Sequence, residues 1–119
     1  MSMPDLDTAD ITPFQRKVYR AAMRIPRGKV TTYAALARAI GCRSARAVGQ
    51  ALRRNPFAPA VPCHRVITSR LTLGGFAGQR QGPNITRKRH LLAAEGVKFR
   101  PDERLDNPQQ VIELGDILM

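Results

Sequence analysis

Along this chain, apolar residues recur at helical spacing in several segments separated by Gly, Pro and capping residues. From Thr12 onward, Phe14, Val18, Ala21, Ala22 and Ile25 fall on one face of a helix. Thr12 suits its cap, Pro13 its first turn and Gln15 the closing of a capping box, while Pro26 and Gly28 end it. Lys29 to Thr31 reads as a short extended piece. Thr32 caps a second helix through Ile40, with Leu36, Ala37 and Ile40 inward and Gly41 as its stop. Ser44 caps a third, running to Arg54, with Ala45, Val48 and Leu52 on one face and Arg46, Gln50, Arg53 and Arg54 on the other. Two short helices around the turn Gly41 to Arg43 predict a helix-turn-helix whose second member is basic; on periodicity alone an ordinary solvated face explains the basic side equally well.

Past Asn55, a Pro- and Ala-rich loop from Pro56 to Pro62 leads into Cys63. Val66 to Thr68 and Leu71 to Leu73 predict a small hairpin, the candidate wing. Gly74, Gly75 and Gly78 around Phe76 predict a flexible loop where backbone can approach a ligand. Arg87 to Glu95 reads as a further amphipathic helix with Leu91 and Leu92 inward and Gly96 as its C-cap, followed by a short extended Val97 to Phe99. From Pro101 the chain turns acidic and Asn/Gln-rich, then regains apolar residues at Val111, Ile112, Leu114, Ile117 and Leu118. The pattern assigns that tail no role, and docking back on the domain is one option. The expectation is a mainly α fold with a small β-hairpin, a winged helix-turn-helix DNA-binding domain over residues 12–100. A flexible segment, 1–11, precedes it, and a tail, 101–119, follows.

Composition narrows the partner. At 119 residues the chain is expected to form one domain. It carries 20 Lys plus Arg against 9 Asp plus Glu, a formal charge of +11. That excess points to a polyanion such as nucleic acid rather than to a membrane surface. No apolar run approaches the length of a membrane span and no signal-peptide pattern opens the chain, so the expected setting is the cytoplasm, in association with the nucleoid, or the nucleus of a eukaryote. Cys42 and Cys63 are too few for a disulfide framework and are expected as free thiols. With neither a CxxC pair nor a Cys/His cluster, no metal or other cofactor is expected.

Pro62-Cys63-His64-Arg65-Val66 is where the sequence carries chemistry. A thiolate is a strong nucleophile, and an imidazole beside it can take its proton at neutral pH. A packed, inert thiol is the plain alternative. Cys42 also precedes a helix, yet no His or Glu stands near it in sequence.

The Pro-Cys-His-Arg-Val core follows Arg46-Ala47-Val48-Gly49-Gln50-Ala51-Leu52 and Asn55-Pro56, and precedes Leu73-Gly74-Gly75-Phe76-Ala77-Gly78. This ordered series, over Thr12 to Phe99, resembles the DNA-binding half of the O6-alkylguanine-DNA alkyltransferases. The resemblance implies irreversible transfer of an alkyl group from flipped-out O6-alkylguanine to Cys63, a single-turnover reaction. It implies that His64 acts as base through a water and that Glu95 orients it. It gives Arg46 the gap left by the everted base and Tyr33 a phosphate and a ring nitrogen of the flipped guanine. Thr32, Ala47, Gly49, Gln50 and Arg53 are implied contacts to duplex DNA, with the basic helix in the minor groove and small Ala47 and Gly49 allowing close approach. Gln50 is bulkier than the Gly of some relatives. Asn55 is implied as a hinge between the basic helix and the Cys63 turn, and Val66, Phe76 and Ala77 as parts of the base pocket, Phe76 standing where relatives often carry Tyr. Plainer readings stand beside these: a phosphate contact for Arg46, core packing for Tyr33, a helix cap for Asn55, an exposed helix end for Glu95. Arg65 reads as structural and His90 as a surface residue.

Relatives of full length carry a further N-terminal domain, for which this chain has no room. That brings in the short alkyltransferase-like proteins, which bind O6-alkylguanine in DNA, do not repair it, and signal it to nucleotide excision repair. Most of these replace the acceptor Cys with Trp, whereas Cys63 is present here. Alkyl transfer is therefore the expected activity of a monomer acting on double-stranded DNA. Lesion sensing is the alternative, and a sequence-specific winged-helix regulator is a third reading.

Overall fold

Helix α1 (Pro13–Ala22) starts on the capping box that its sequence predicts. Thr12 Oγ1 accepts the Gln15 N–H at 3.0 Å and Gln15 Oε1 accepts the Thr12 N–H at 2.9 Å. The helix stops at Ala22, short of Ile25, but the next N–H groups fold back onto Ala21 and Ala22, so Ile25 still enters the core. α2 (Tyr33–Ala39) is capped by Thr32 Oγ1, which accepts the Ala35 N–H at 3.0 Å. α3 (Ala45–Arg53) is capped by Ser44, whose hydroxyl accepts the Ala47 N–H at 3.0 Å. α1 lies across this helix pair, and the buried Tyr19 hydroxyl donates to Ala51 O of α3 at 2.7 Å. The helix-turn-helix is thus set by local caps and closed by a shared apolar seam of Val18, Ala22, Leu36, Val48 and Leu52. The computed structural model describes residues 6, 10–57, 60–74 and 83–114.

The fold is mainly helical with a small β element, that of a winged helix-turn-helix. Its regular strands differ in pairing from the expected hairpin. β1 (Thr31–Thr32) and β2 (Val66–Ile67) run parallel, with Thr31 opposite Val66 and Thr32 opposite Ile67. The chain does double back at the predicted wing: Thr68 N–H donates to Thr72 O at 3.0 Å and the two hydroxyls lie 2.6 Å apart. The returning segment then pairs with the tail instead of with β2, Thr72 bridging to Arg104. Leu71, at φ 63°, turns the strand away from a regular ladder.

α4 (Pro83–Ala94) begins well before Arg87, and Glu95 lies just past its end, before Gly96. A Pro at the first helical position has no N–H to waste, which suits this earlier start. Leu92 is fully buried and Leu91 half-buried, on the face the pattern assigned to the core. Lys88 lies on that same face and is fully buried too, which the pattern did not anticipate.

The tail is built into the same body. Val111 bridges to Val30 on the edge of β1 opposite β2, and Thr31 Oγ1 donates to Ile112 O at 2.8 Å. Leu105 and Leu114 are buried, Leu114 completely. The N-terminal segment, read as loose, also sends Leu6 into the core, where Arg16 Nε donates to its carbonyl at 2.7 Å.

Candidate active site and nucleic-acid interface

Cys63, His64 and Arg65 form a single 3-10 turn between the Pro-rich loop and β2. On a strand, adjacent side chains would diverge; the tighter turn sends Cys63 and His64 both inward, at 8 % and 2 % exposure. Cys63 N–H donates to Val61 O at 2.8 Å and Arg65 N–H to Pro62 O at 2.9 Å, which locks the turn. Asn55 ties the exit of α3 to this approach: Nδ2 donates to Val61 O at 2.9 Å and Oδ1 accepts the Phe57 N–H at 2.9 Å.

His64 Nε2 lies 3.0 Å from Glu95 Oε2, with the two side chains 3 % and 7 % exposed. Burial alone would raise the Glu95 pKa, but hydrogen bonds from Arg65 and His64 outweigh it and hold the carboxyl down to about 2. An ionised carboxylate can only accept, so Nε2 carries the proton and Nδ1 of the neutral ring is a bare lone pair. Burial pushes the His64 pKa below its ordinary value, reinforced by the positive charges of Arg65 and Lys88 and opposed by Glu95. Nδ1 is buried and bonds to no described protein group. The residue before His64 is Cys63, so imidazole and thiol share one turn.

Burial also pushes the Cys63 thiol up, while a hydrogen bond from the Asn55 side chain and the positive charges of Lys88 and Arg87 pull it back. Lys88 is the residue that sequence reasoning missed. Its Nζ donates to Val66 O at 2.9 Å and to Leu73 O, so one ammonium pins β2 to the segment leaving the wing. Desolvation lowers its pKa to about 7, and the Cys63 charge opposes this. Its place on the Leu92 face was legible from i, i+4 spacing; its burial was not.

Tyr33 connects this centre to the helix-turn-helix. Lys88 Nζ stands 5.9 Å from its ring centroid. A Cβ added at Gly49 of α3 would meet the Tyr33 ring at 3.9 Å, and one at Gly74 would lie 3.7 Å from its hydroxyl. Gly74 itself, at φ +71°, has no room for a side chain, since a Cβ would come within 2.9 Å of Thr68 Cγ2. Burial and the Cys63 charge push the Tyr33 pKa up to about 12, so its phenol keeps its proton and remains a donor.

On α3, Arg46, Gln50 and Arg53 are exposed and Ala47 and Gly49 half-exposed between them, away from the α1 seam. Thr32 is nearly buried and its hydroxyl is occupied as the α2 cap. The Val66 side chain is wholly in the core, so it meets the site through its carbonyl. Phe76 and Ala77 lie outside the described residues. Cys42, half-buried beside Ser44, and His90, exposed on α4, stand apart from this constellation.

The structure thus defines a winged helix-turn-helix domain with a buried Cys63–His64–Glu95 cluster. A family profile described as "6-O-methylguanine DNA methyltransferase, DNA binding domain" matches residues 13–97, and the chain belongs to that family. A methylated-DNA–protein-cysteine methyltransferase of Thermococcus gammatolerans is 43 % identical over 98 residues, covering 82 % of this chain and 52 % of that protein. The crystal structure of the Mycobacterium tuberculosis O6-methylguanine methyltransferase superposes with a TM-score of 0.63 at 44 % identity, over 71 % of this chain and 49 % of that one. S. pombe Atl1, in complex with damaged DNA containing O6-carboxymethylguanine, gives a TM-score of 0.72 at 33 % identity, over 87 % of this chain and 98 % of Atl1. The chain spans about half the length of the curated relatives it matches.

Proposed function

We propose that this protein binds double-stranded DNA as a monomer, everts an O6-alkylguanine and transfers the alkyl group irreversibly to its own Cys63. The observation that carries the reading is the 3.0 Å contact of His64 Nε2 with an ionised Glu95, which leaves Nδ1 as a base in the same turn as the thiol. In the displacement, the bond from alkyl carbon to O6 breaks as the bond from carbon to Sγ forms. The thiol proton leaves through His64 and ends on the departing guanine, so no cofactor is consumed. Tyr33, still protonated, is suited to hydrogen-bond the guanine ring and so improve its leaving ability.

The exposed row of Arg46, Gln50 and Arg53 flanking small Ala47 and Gly49 supports entry of α3 into the minor groove, with Arg46 filling the gap of the everted base. Thr32 would act through the placement of α2, and Asn55 as the hinge between α3 and the nucleophile.

A second reading, lesion sensing with hand-over to nucleotide excision repair, draws on the near-complete coverage of Atl1. Intact mass spectrometry after incubation with an O6-methylguanine duplex separates the two. Alkyl transfer gives a gain of one methyl on the Cys63 peptide and none in Cys63→Ser. Preferential binding of the lesion duplex with no change in mass would replace it by the sensing role.

A further inference from the structure

Two consecutive residues of one turn converge on a single carboxylate. Arg65 Nε donates to Glu95 Oε1 at 2.8 Å and Nη2 to Oε2 at 2.9 Å, while His64 Nε2 meets the same Oε2. The remaining arm of the guanidinium, Nη1, donates to Ile25 O at 2.8 Å, where the chain leaves α1. The Arg65 side chain is only 17 % exposed, so solvent screens this cluster weakly. Such a two-point fork fixes the plane of the carboxylate, which a single imidazole contact cannot do.

The fork also divides the charge. A carboxylate already paired with a guanidinium holds an imidazolium less firmly than a free one would. Were Glu95 shared with His64 alone, the pair would retain a proton on Nδ1, and a doubly protonated ring has no lone pair for the thiol proton. We infer that Arg65 is a positioning residue for alkyl transfer: by clamping Glu95 it holds His64 as the neutral Nε2–H tautomer with Nδ1 open as the acceptor. This rests on the reading of Cys63 as alkyl acceptor. Among the described residues, the charged groups acting on His64 are Glu95 and Lys88 from the α4 side and Arg65 from its own turn, in which Cys63 precedes His64. Of these, Arg65 and Lys88 act against protonation and Glu95 favours it.

Removing Arg65 takes away a positive neighbour and frees Glu95, and both changes make His64 easier to protonate. The test is the single-turnover alkyl-transfer rate between about pH 5 and 9, together with the nitrogen-15 shifts of the His64 ring over the same range. In Arg65→Gln the midpoint of the rise in rate should move up by about one pH unit, as expected for loss of one close charge. The ring should stay doubly protonated to a pH about one unit higher than in the wild type before giving way to the Nε2–H form. Arg65→Lys keeps the charge but cannot span both oxygens, so its midpoint should fall between the two. A pH profile for Arg65→Gln that superimposes on the wild type after one scale factor, with unchanged ring shifts, would overturn the inference. If Arg65→Gln does not fold, Arg65→Lys decides by the same comparison. Absence of alkyl transfer in the wild type would remove the acceptor reading alone, since the ring shifts still judge the clamp.

Discussion

At Cys63, burial opposes the thiolate, and the groups that offset it come from separate parts of the chain: Asn55 after α3, Lys88 and Arg87 on α4. Each favours the charged form, so removing one leaves the thiol protonated to higher pH. In a Cys42→Ser background, Asn55→Ala and Arg87→Gln, which remove a hydrogen bond and a charge still present where the thiol titrates, should each raise the pH midpoint of Cys63 alkylation by iodoacetamide, by up to about one unit. An unmoved midpoint in both would mean that neither group reaches the sulfur. Cys63 and His64 were legible as candidates from side-chain type and motif, and Glu95 from the family resemblance. Arg65 and Lys88 were not, because a charge is tolerated in an interior only through partners that folding delivers. For Arg65 these include a carbonyl forty positions away in sequence, and for Lys88 the carbonyls of Val66 and Leu73.

The helix-turn-helix is the element that sequence describes most fully, since Thr32, Ser44 and Gly41 act within a turn of themselves. Within α3, the proposed approach of DNA at Gly49 sets helix stability and ligand binding against each other. A Cβ there meets the Tyr33 ring at 3.9 Å, an ordinary contact, so the protein itself has room for it. Gly49→Ala should therefore stabilise the fold by about 0.5–1 kcal/mol through helix propensity. It should also weaken binding of a lesion duplex at least about tenfold, a loss of about 1.4 kcal/mol, by holding α3 off the groove. Thermal melting and a binding titration together check this, and undiminished affinity would show that α3 does not approach DNA at Gly49. The start of α4 and the partner of β2 were less legible. The run before Arg87 lacks apolar periodicity, and β2 pairs in parallel with a strand far back in the chain, a choice that local turn residues do not encode.

Across the whole molecule, the described part of the tail docks on the core through Leu105 and Leu114, although it lies beyond the residues matched to the family, 13–97. It lines the free edge of β1, bonds the returning wing through Leu105 N–H to Leu71 O at 2.7 Å, and buries Leu114 among α1–α3 residues. Leu114→Ala should cost about 2–5 kcal/mol, the range for emptying a fully buried leucine site. Urea unfolding measures it, and a change under about 0.5 kcal/mol, typical of surface substitutions, would mean that the tail is not docked. By itself the sequence determined the helices with local caps, the basic outward face of α3, the charge that calls for a polyanion, and the thiol–imidazole pair. These depend on residue type and short spacing. Tertiary structure alone decided the parallel pairing of β1 with β2, the docking of the tail, and the gathering of Arg65, Glu95 and Lys88 around His64 and Cys63. Those arrangements join segments far apart in sequence, and their energies come from desolvation and shared partners that exist only once the chain has closed on itself.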